Sequence, residues 1–245
     1  MSLLRGNGHE EMRGALPLPL RVLRRGSHLL ALHLFVRRAT TREDAVRMFG
    51  LSLRVPPTVF HPRLYGTSRF LGEHLRGRDL RSADVLEIGC GSGLLAFLAA
   101  QGGARVTAID INPRAVACTE DNARANGLDE RVSVIESDLF ERLPPGRTFD
   151  HIIWNPPFYR AEQSDHASRA WNAGISYEVI SRFAASAGPY LRPSGTIILV
   201  TSSDAGQEEI YSLLGREGFT PAFRLQRRGL FETLSIVEFT RGGTS

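Results

Sequence analysis

Cysteine is scarce: Cys90 and Cys118 are the only two in 245 residues. Two cysteines build no disulfide framework, and no Cys/His spacing of a metal site occurs, so a reducing cytoplasm and no bound metal are expected. Long apolar runs are also missing, and with them the roughly 18 to 20 residues needed to cross a bilayer. The nearest stretch, 29–36, is short, contains His33 and lies between Arg24-Arg25 and Arg37-Arg38. A twin-arginine export signal does not fit, because the second arginine pair occupies the place of a small-residue cleavage site. An amphipathic helix fits better. Lysine is absent altogether, so the thirty Lys+Arg residues are all arginine. They are unevenly placed: residues 1–81 hold fifteen arginines against six acids, and residues 82–245 fifteen against twenty. A basic front can steer a phosphate-bearing or acidic partner, although arginine-rich coding alone gives the same composition.

What is present divides near residue 55. Residues 1–55 read as a small, basic N-terminal extension, partly helical: 1–27 are rich in Gly, Pro and Arg without periodicity, and two short helical segments fit 28–48. Thr41 would cap the second, with Glu43 and Asp44 in its first turn. The stretches 51–55 and 58–61 read as extended pieces broken by Pro56-Pro57. Residues 56–245 form the main domain. From Asp84 onward strand-length apolar runs alternate with helical segments, as a parallel sheet requires. Strands are predicted at 85–88, 105–109, 132–136, 151–154, 196–201, 220–225 and 233–239. Helices are predicted at 94–101, 113–126, 175–190 and 207–217, with Pro113 in a first turn and Gly127 at a C-terminal stop. The fold class is α/β, doubly wound, with a mostly parallel sheet.

The first of these strands runs into Gly89-Cys90-Gly91-Ser92-Gly93 and then a helix. Ligands bind beyond the carboxyl ends of such strands, and glycines let the backbone approach them. Leu94 stands where a dinucleotide fingerprint has its third glycine, which counts against NAD or FAD. Asp110 closes the second strand, where a carboxylate accepts hydrogen bonds from ribose hydroxyls. Asp138, after the third strand, is placed for an adenine amino group. A tight turn with a helix-capping Asp is the bland alternative.

Glu87, Gly89, Gly91, Gly93 and Asp110 meet the pattern E-x-G-x-G-x-G plus second-strand acid, and so residues 56–240 resemble the class I S-adenosylmethionine-dependent methyltransferases. The resemblance implies S-adenosylmethionine as cofactor and a Rossmann-like, seven-stranded sheet whose last strand is antiparallel. It also implies that Glu87 and Gly89 line the methionine side, that Asp110 takes the ribose, and that Asp138 and Leu139 take the adenine. Cys90, Gly91, Gly93, Ile111 and Asn155 complete the candidate cofactor-binding set.

Asn155-Pro156-Pro157-Phe158 follows the fourth strand. An amide or amino-aromatic nitrogen is a poor nucleophile because its lone pair is delocalised. The Asn155 side-chain oxygen and the Pro156 carbonyl can each accept one of its N–H bonds, orienting the lone pair toward a methyl donor. Two prolines stiffen the loop, and Phe158 offers a flat face to a flat substrate. Asn155, Pro156 and Phe158 are therefore the catalytic candidates. The tetrapeptide resembles the N-P-P-[FY] signature of amino-methyltransferases: release-factor glutamine methyltransferases, nucleobase methyltransferases and some small-molecule N-methyltransferases. Trp171-Asn172-Ala173-Gly174 and Val59-Phe60-His61-Pro62-Arg63 look like flanking segments of the glutamine group, whereas its acidic continuation is replaced here by Leu64-Tyr65-Gly66-Thr67-Ser68. The polar stretch 160–173, with Glu162, Asp165, His166 and Arg169, reads as a substrate loop or a plain solvated one. His61 and His166 are candidate proton shuttles.

The expected function is methyl transfer from S-adenosylmethionine to a planar NH2 of a protein glutamine, a nucleobase or a small molecule. A non-catalytic binding module on the same scaffold is the alternative.

Overall fold

Asp44–Met48 (β1) and Leu51–Val55 (β2) pair antiparallel. The helix expected to run from Thr41 to residue 48 is thereby corrected. Leu51, Leu53 and Val55 are buried while Ser52 and Arg54 face outward, the two-residue period of a half-buried strand. Phe49 and Gly50 connect the strands with φ of 53° and 83°, and positive φ at both central residues is what a two-residue type I′ hairpin demands. That turn outweighs the weak helical signal of two acids behind a threonine. Residues 58–61 form no strand either; Val59 N–H closes a turn on the Pro56 carbonyl.

The computed structural model describes residues 42–64, 66–157, 172–230 and 232–242, all within one unit beginning at Thr40. The irregular start, the run 29–36, Phe158, His166, Trp171 and most of the polar stretch 160–173 lie outside the described residues.

Seven strands form the main sheet: Asp84–Ile88 (β3), Arg105–Asp110 (β4), Val132–Glu136 (β5), Phe149–Trp154 (β6), Leu191–Ser202 (β7), Phe219–Arg228 (β8) and Thr233–Arg241 (β9). Their order is β5-β4-β3-β6-β7-β9-β8. The first five are mutually parallel, and β9 runs antiparallel to both neighbours. The chain leaves β3 toward β4 on one side and returns to β6 on the other, so the connections diverge at the carboxyl end of β3 and open a crevice there.

Helices Leu94–Gln101, Pro113–Ala125, Glu178–Ala187 and Gln207–Arg216 accompany the sheet, and one more, Gly66–Arg76, precedes it. In chain order Gly66–Arg76 is α1 and the others are α2 to α5. In α2 every residue but Gln101 is buried, which matches its apolar run from Leu94 to Ala100. Helix α1 was invisible to apolar periodicity because its buried face mixes Phe70, Leu71 and Leu75 with Thr67, Ser68 and Gly72. It packs on α2 and reaches β7 and β9. Between α1 and the sheet, buried Glu238 accepts hydrogen bonds from His74, at 2.9 Å, and from Arg78.

Candidate active site

Gly89 begins the turn after β3 with φ of 68°, a conformation natural to glycine, and a Cβ built there meets no atom within 4 Å. The turn therefore faces open space at Gly89. It is held from below: Cys90 N–H donates to the Ile109 carbonyl, Thr119 Oγ donates to the Gly91 carbonyl at 3.0 Å, and Asn122 Nδ2 donates to the Ser92 carbonyl at 3.0 Å. Glu87 is buried, and its Oε2 accepts from Ala96 N–H, 2.8 Å away in the first turn of α2. Burial pushes its carboxyl well above the ordinary carboxylate value against the pull of that hydrogen bond.

Asp110 closes β4 and accepts from Gly91 N–H and Asn112 N–H, both at 2.9 Å. These bonds tie the glycine turn to the second strand. The wall continues through Ile111, Ser137, Asp138 and Leu139. Leu139 and Thr58, both on this wall, have φ of 50° and 72°, and a β-branched threonine there is strained. Each is held by a hydrogen bond to its carbonyl: Ser137 Oγ donates to Leu139 at 2.8 Å, and Asn112 Nδ2 to Thr58 at 3.1 Å. Two of the five non-glycine residues with positive φ among the described residues thus border the cavity. Arg182, from α4, donates to Asp138 at 3.2 Å and to Glu141 at 3.1 Å.

Opposite, β6 delivers Trp154 and Asn155 to the same cavity. Asn155 Nδ2 donates to Ser68 Oγ of α1 at 3.2 Å. Pro157 lines the wall, while Pro156 is buried beside it.

One cavity therefore gathers Gly89, Gly91, Asp110, Ile111, Asp138, Leu139 and Asn155 of the sequence-predicted residues. Glu87, Cys90 and Gly93 lie behind its lining, shaping the turn. Burial pushes the Cys90 thiol well above its usual range, which keeps it inert. His61 is not on the wall; its Nε2 meets Asp44 at 3.0 Å and staples the hairpin. Sequence reasoning missed Ser68, Asn112, Val179 and Arg182. Asn112, immediately before Pro113, was findable as a helix cap, since its side chain accepts from Arg114 N–H. The others depend on tertiary placement of α1 and α4.

The methyltransferase small domain family matches residues 51–217. The chain belongs to that family. The methyltransferase is 31% identical over 202 residues to a protein of Methanocaldococcus jannaschii provisionally named a protein N5-glutamine methyltransferase, covering 80% of this chain and 98% of that one. It is 35% identical over 166 residues to the human methyltransferase HEMK2, covering 64% and 77%. Its fold matches the Thermus thermophilus 16S rRNA N2 G1207 methyltransferase solved with AdoMet and guanosine, at TM-score 0.58 and 23% identity, over 82% of this chain and 50% of that chain. The enzyme is an S-adenosylmethionine-dependent methyltransferase with a Rossmann-like sheet. Its residues fit the cofactor: the space above Gly89 is open, and the Asp110 carboxylate, with about four acceptor sites, faces the cavity between two backbone N–H groups. Among the described residues no helix is long and apolar enough to cross a membrane.

Proposed function

We propose that this methyltransferase methylates the side-chain amide nitrogen of a glutamine in a protein substrate. The observation that carries the proposal is the presence of Asn155 on the same cavity wall as Gly89 and Asp110. The names borne by the similar proteins support a glutamine acceptor.

The roles of the chain's residues follow from the chemistry of an amide. Asn155 Oδ1 and the Pro156 carbonyl accept the two N–H bonds of the substrate NH2, which draws the nitrogen out of conjugation and favours developing positive charge. Bound S-adenosylmethionine supplies the electrophilic methyl. Gly89 and Gly91 let the cofactor approach the backbone, Asp110 holds its ribose, and Asp138 with Leu139 borders its adenine. Phe158 is assigned to the flat face of the substrate on the N-P-P-[FY] resemblance alone. The methylated nitrogen is acidic, so it sheds a proton without a strong base, and neither His61 nor a lysine is required. We read residues 1–55 as a basic extension and residues 56–245 as the catalytic domain.

The test is incubation with methyl-labelled cofactor and separate pools of protein, RNA and small molecules. Label in protein, released as N5-methylglutamine on proteolytic digestion, supports the proposal. Label in RNA, with binding that collapses between low and moderate salt, refutes it in favour of a nucleobase. Asn155→Ala should abolish turnover while the cofactor still binds.

A further inference from the structure

We propose that Ser68 is a positioning residue that anchors the Asn155 carboxamide at the cavity wall; this rests on the reading of Asn155 as acceptor for the substrate N–H. The two ends of a carboxamide are almost the same shape and opposite in function, one accepting and the other donating. Facing a substrate NH2, only the oxygen is useful. A flipped Asn155 would set donors against donors.

The structure places a side-chain hydrogen bond on this group that engages its NH2 end: Asn155 Nδ2 donates to Ser68 Oγ at 3.2 Å. Ser68 is 4% exposed, so bulk water does not readily replace it. Its position is fixed by the packing of α1. One helical turn later a Cβ built on Gly72 would stand 2.9 Å from Phe49 Cε2 and 3.0 Å from Leu98 Cδ1, so the helix lies close against α2 and the hairpin turn. Leu71 and Leu75 are fully buried beside it. Helix α1 thus delivers a hydroxyl to the end of β6 from 87 residues away in sequence.

Three substitutions separate the hydroxyl from the shape of the side chain: Ser68→Ala, Ser68→Thr and Ser68→Val, the last two nearly isosteric. The first readout needs no substrate. It is the hydrogen exchange of the Asn155 side-chain NH2 by nitrogen-15 NMR, assigned by its loss in Asn155→Ala. The second is kcat and KM with methyl-labelled cofactor and the protein pool that accepts label, and the third is cofactor Kd by calorimetry. Ser68→Ala and Ser68→Val should raise exchange and lower kcat by about tenfold each, the value of one hydrogen bond near a reacting group. Cofactor Kd should stay unchanged, and Ser68→Thr should preserve all three. Equal kcat and equal NH2 protection in the Thr and Val variants would overturn the proposal, as would parallel changes in Tm, KM and cofactor Kd, which mark a purely structural residue. Full turnover in Asn155→Ala would instead remove the acceptor role on which the proposal rests, whatever the exchange data show. If Ser68→Ala does not fold, the Thr and Val pair decides alone.

Discussion

Replacing Gly93 by alanine tests the glycine turn where its geometry is most restrictive. Gly93 has φ of 87° and ψ of 4° at the head of α2, and a residue with a Cβ held there costs about 1–2 kcal/mol. The added Cβ would stand 2.4 Å from Phe97 Cζ and 2.7 Å from its Cε2. Phe97 is fully buried, so its ring cannot swing into solvent, and overpacking of this kind adds about 1–3 kcal/mol. The two contributions together give about 2–5 kcal/mol, or roughly 4–20 °C in Tm for a chain of this length. Thermal and urea unfolding of the wild type, Gly93→Ala, Phe97→Leu and the double variant form a cycle that isolates the steric share. The double variant should recover that share and not the conformational one. A Gly93→Ala protein melting within about 1 °C of wild type would refute the reasoning, and so would zero coupling between the two positions.

Asp110→Asn removes a charge and one acceptor, so calorimetry should show cofactor Kd weakened roughly ten- to hundredfold, as for a lost charged hydrogen bond; an unchanged Kd would take Asp110 off the ribose. Asn122→Ala removes hydrogen bonds to the Ser92 carbonyl and to both backbone groups of Arg54, whose carbonyl keeps only the weaker Cys118 thiol donor, and should cost about 2–4 kcal/mol in urea unfolding. Burial alone would raise the Glu238 carboxyl, but hydrogen bonds from His74 and Arg78 outweigh it and hold the group at about 2, against 4.5 ordinarily. Between those values the unfolded chain binds more protons than the folded one. The stabilisation is therefore full above about pH 4.5 and lost as pH falls through 2. Glu238→Gln should flatten that acid limb in urea midpoints measured against pH, and an unaltered slope would dismiss the pairing.

The α/β order and the position of the glycine turn were legible because buried parallel strands are short apolar runs and the turn needs glycine at fixed places. Helix α2 matches its expected span of 94–101, being apolar from Leu94 to Ala100 and closed by Gly102. Helix α1 was not legible, since Ser68 and Gly72 on its buried face interrupt the apolar period. The hairpin was half legible: β2 alternates, but β1 buries little beyond Val46 and its identity depends on pairing. In the site, residues that follow strand ends were readable as Asp110, Asp138 and Asn155. Those arriving from other elements, such as Ser68, Val179 and Arg182, are set by tertiary placement alone.

Asn122 grips the hairpin at Arg54 with one end of its side chain and both Arg54 and the glycine turn with the other. Coupling of this kind is reciprocal: the free energy by which a ligand at the turn steadies the hairpin equals that by which an ordered hairpin favours the ligand. The Arg54 amide, remote from the cavity lining, is thus a natural reporter of occupancy, its exchange slowing as ligand fills the crevice.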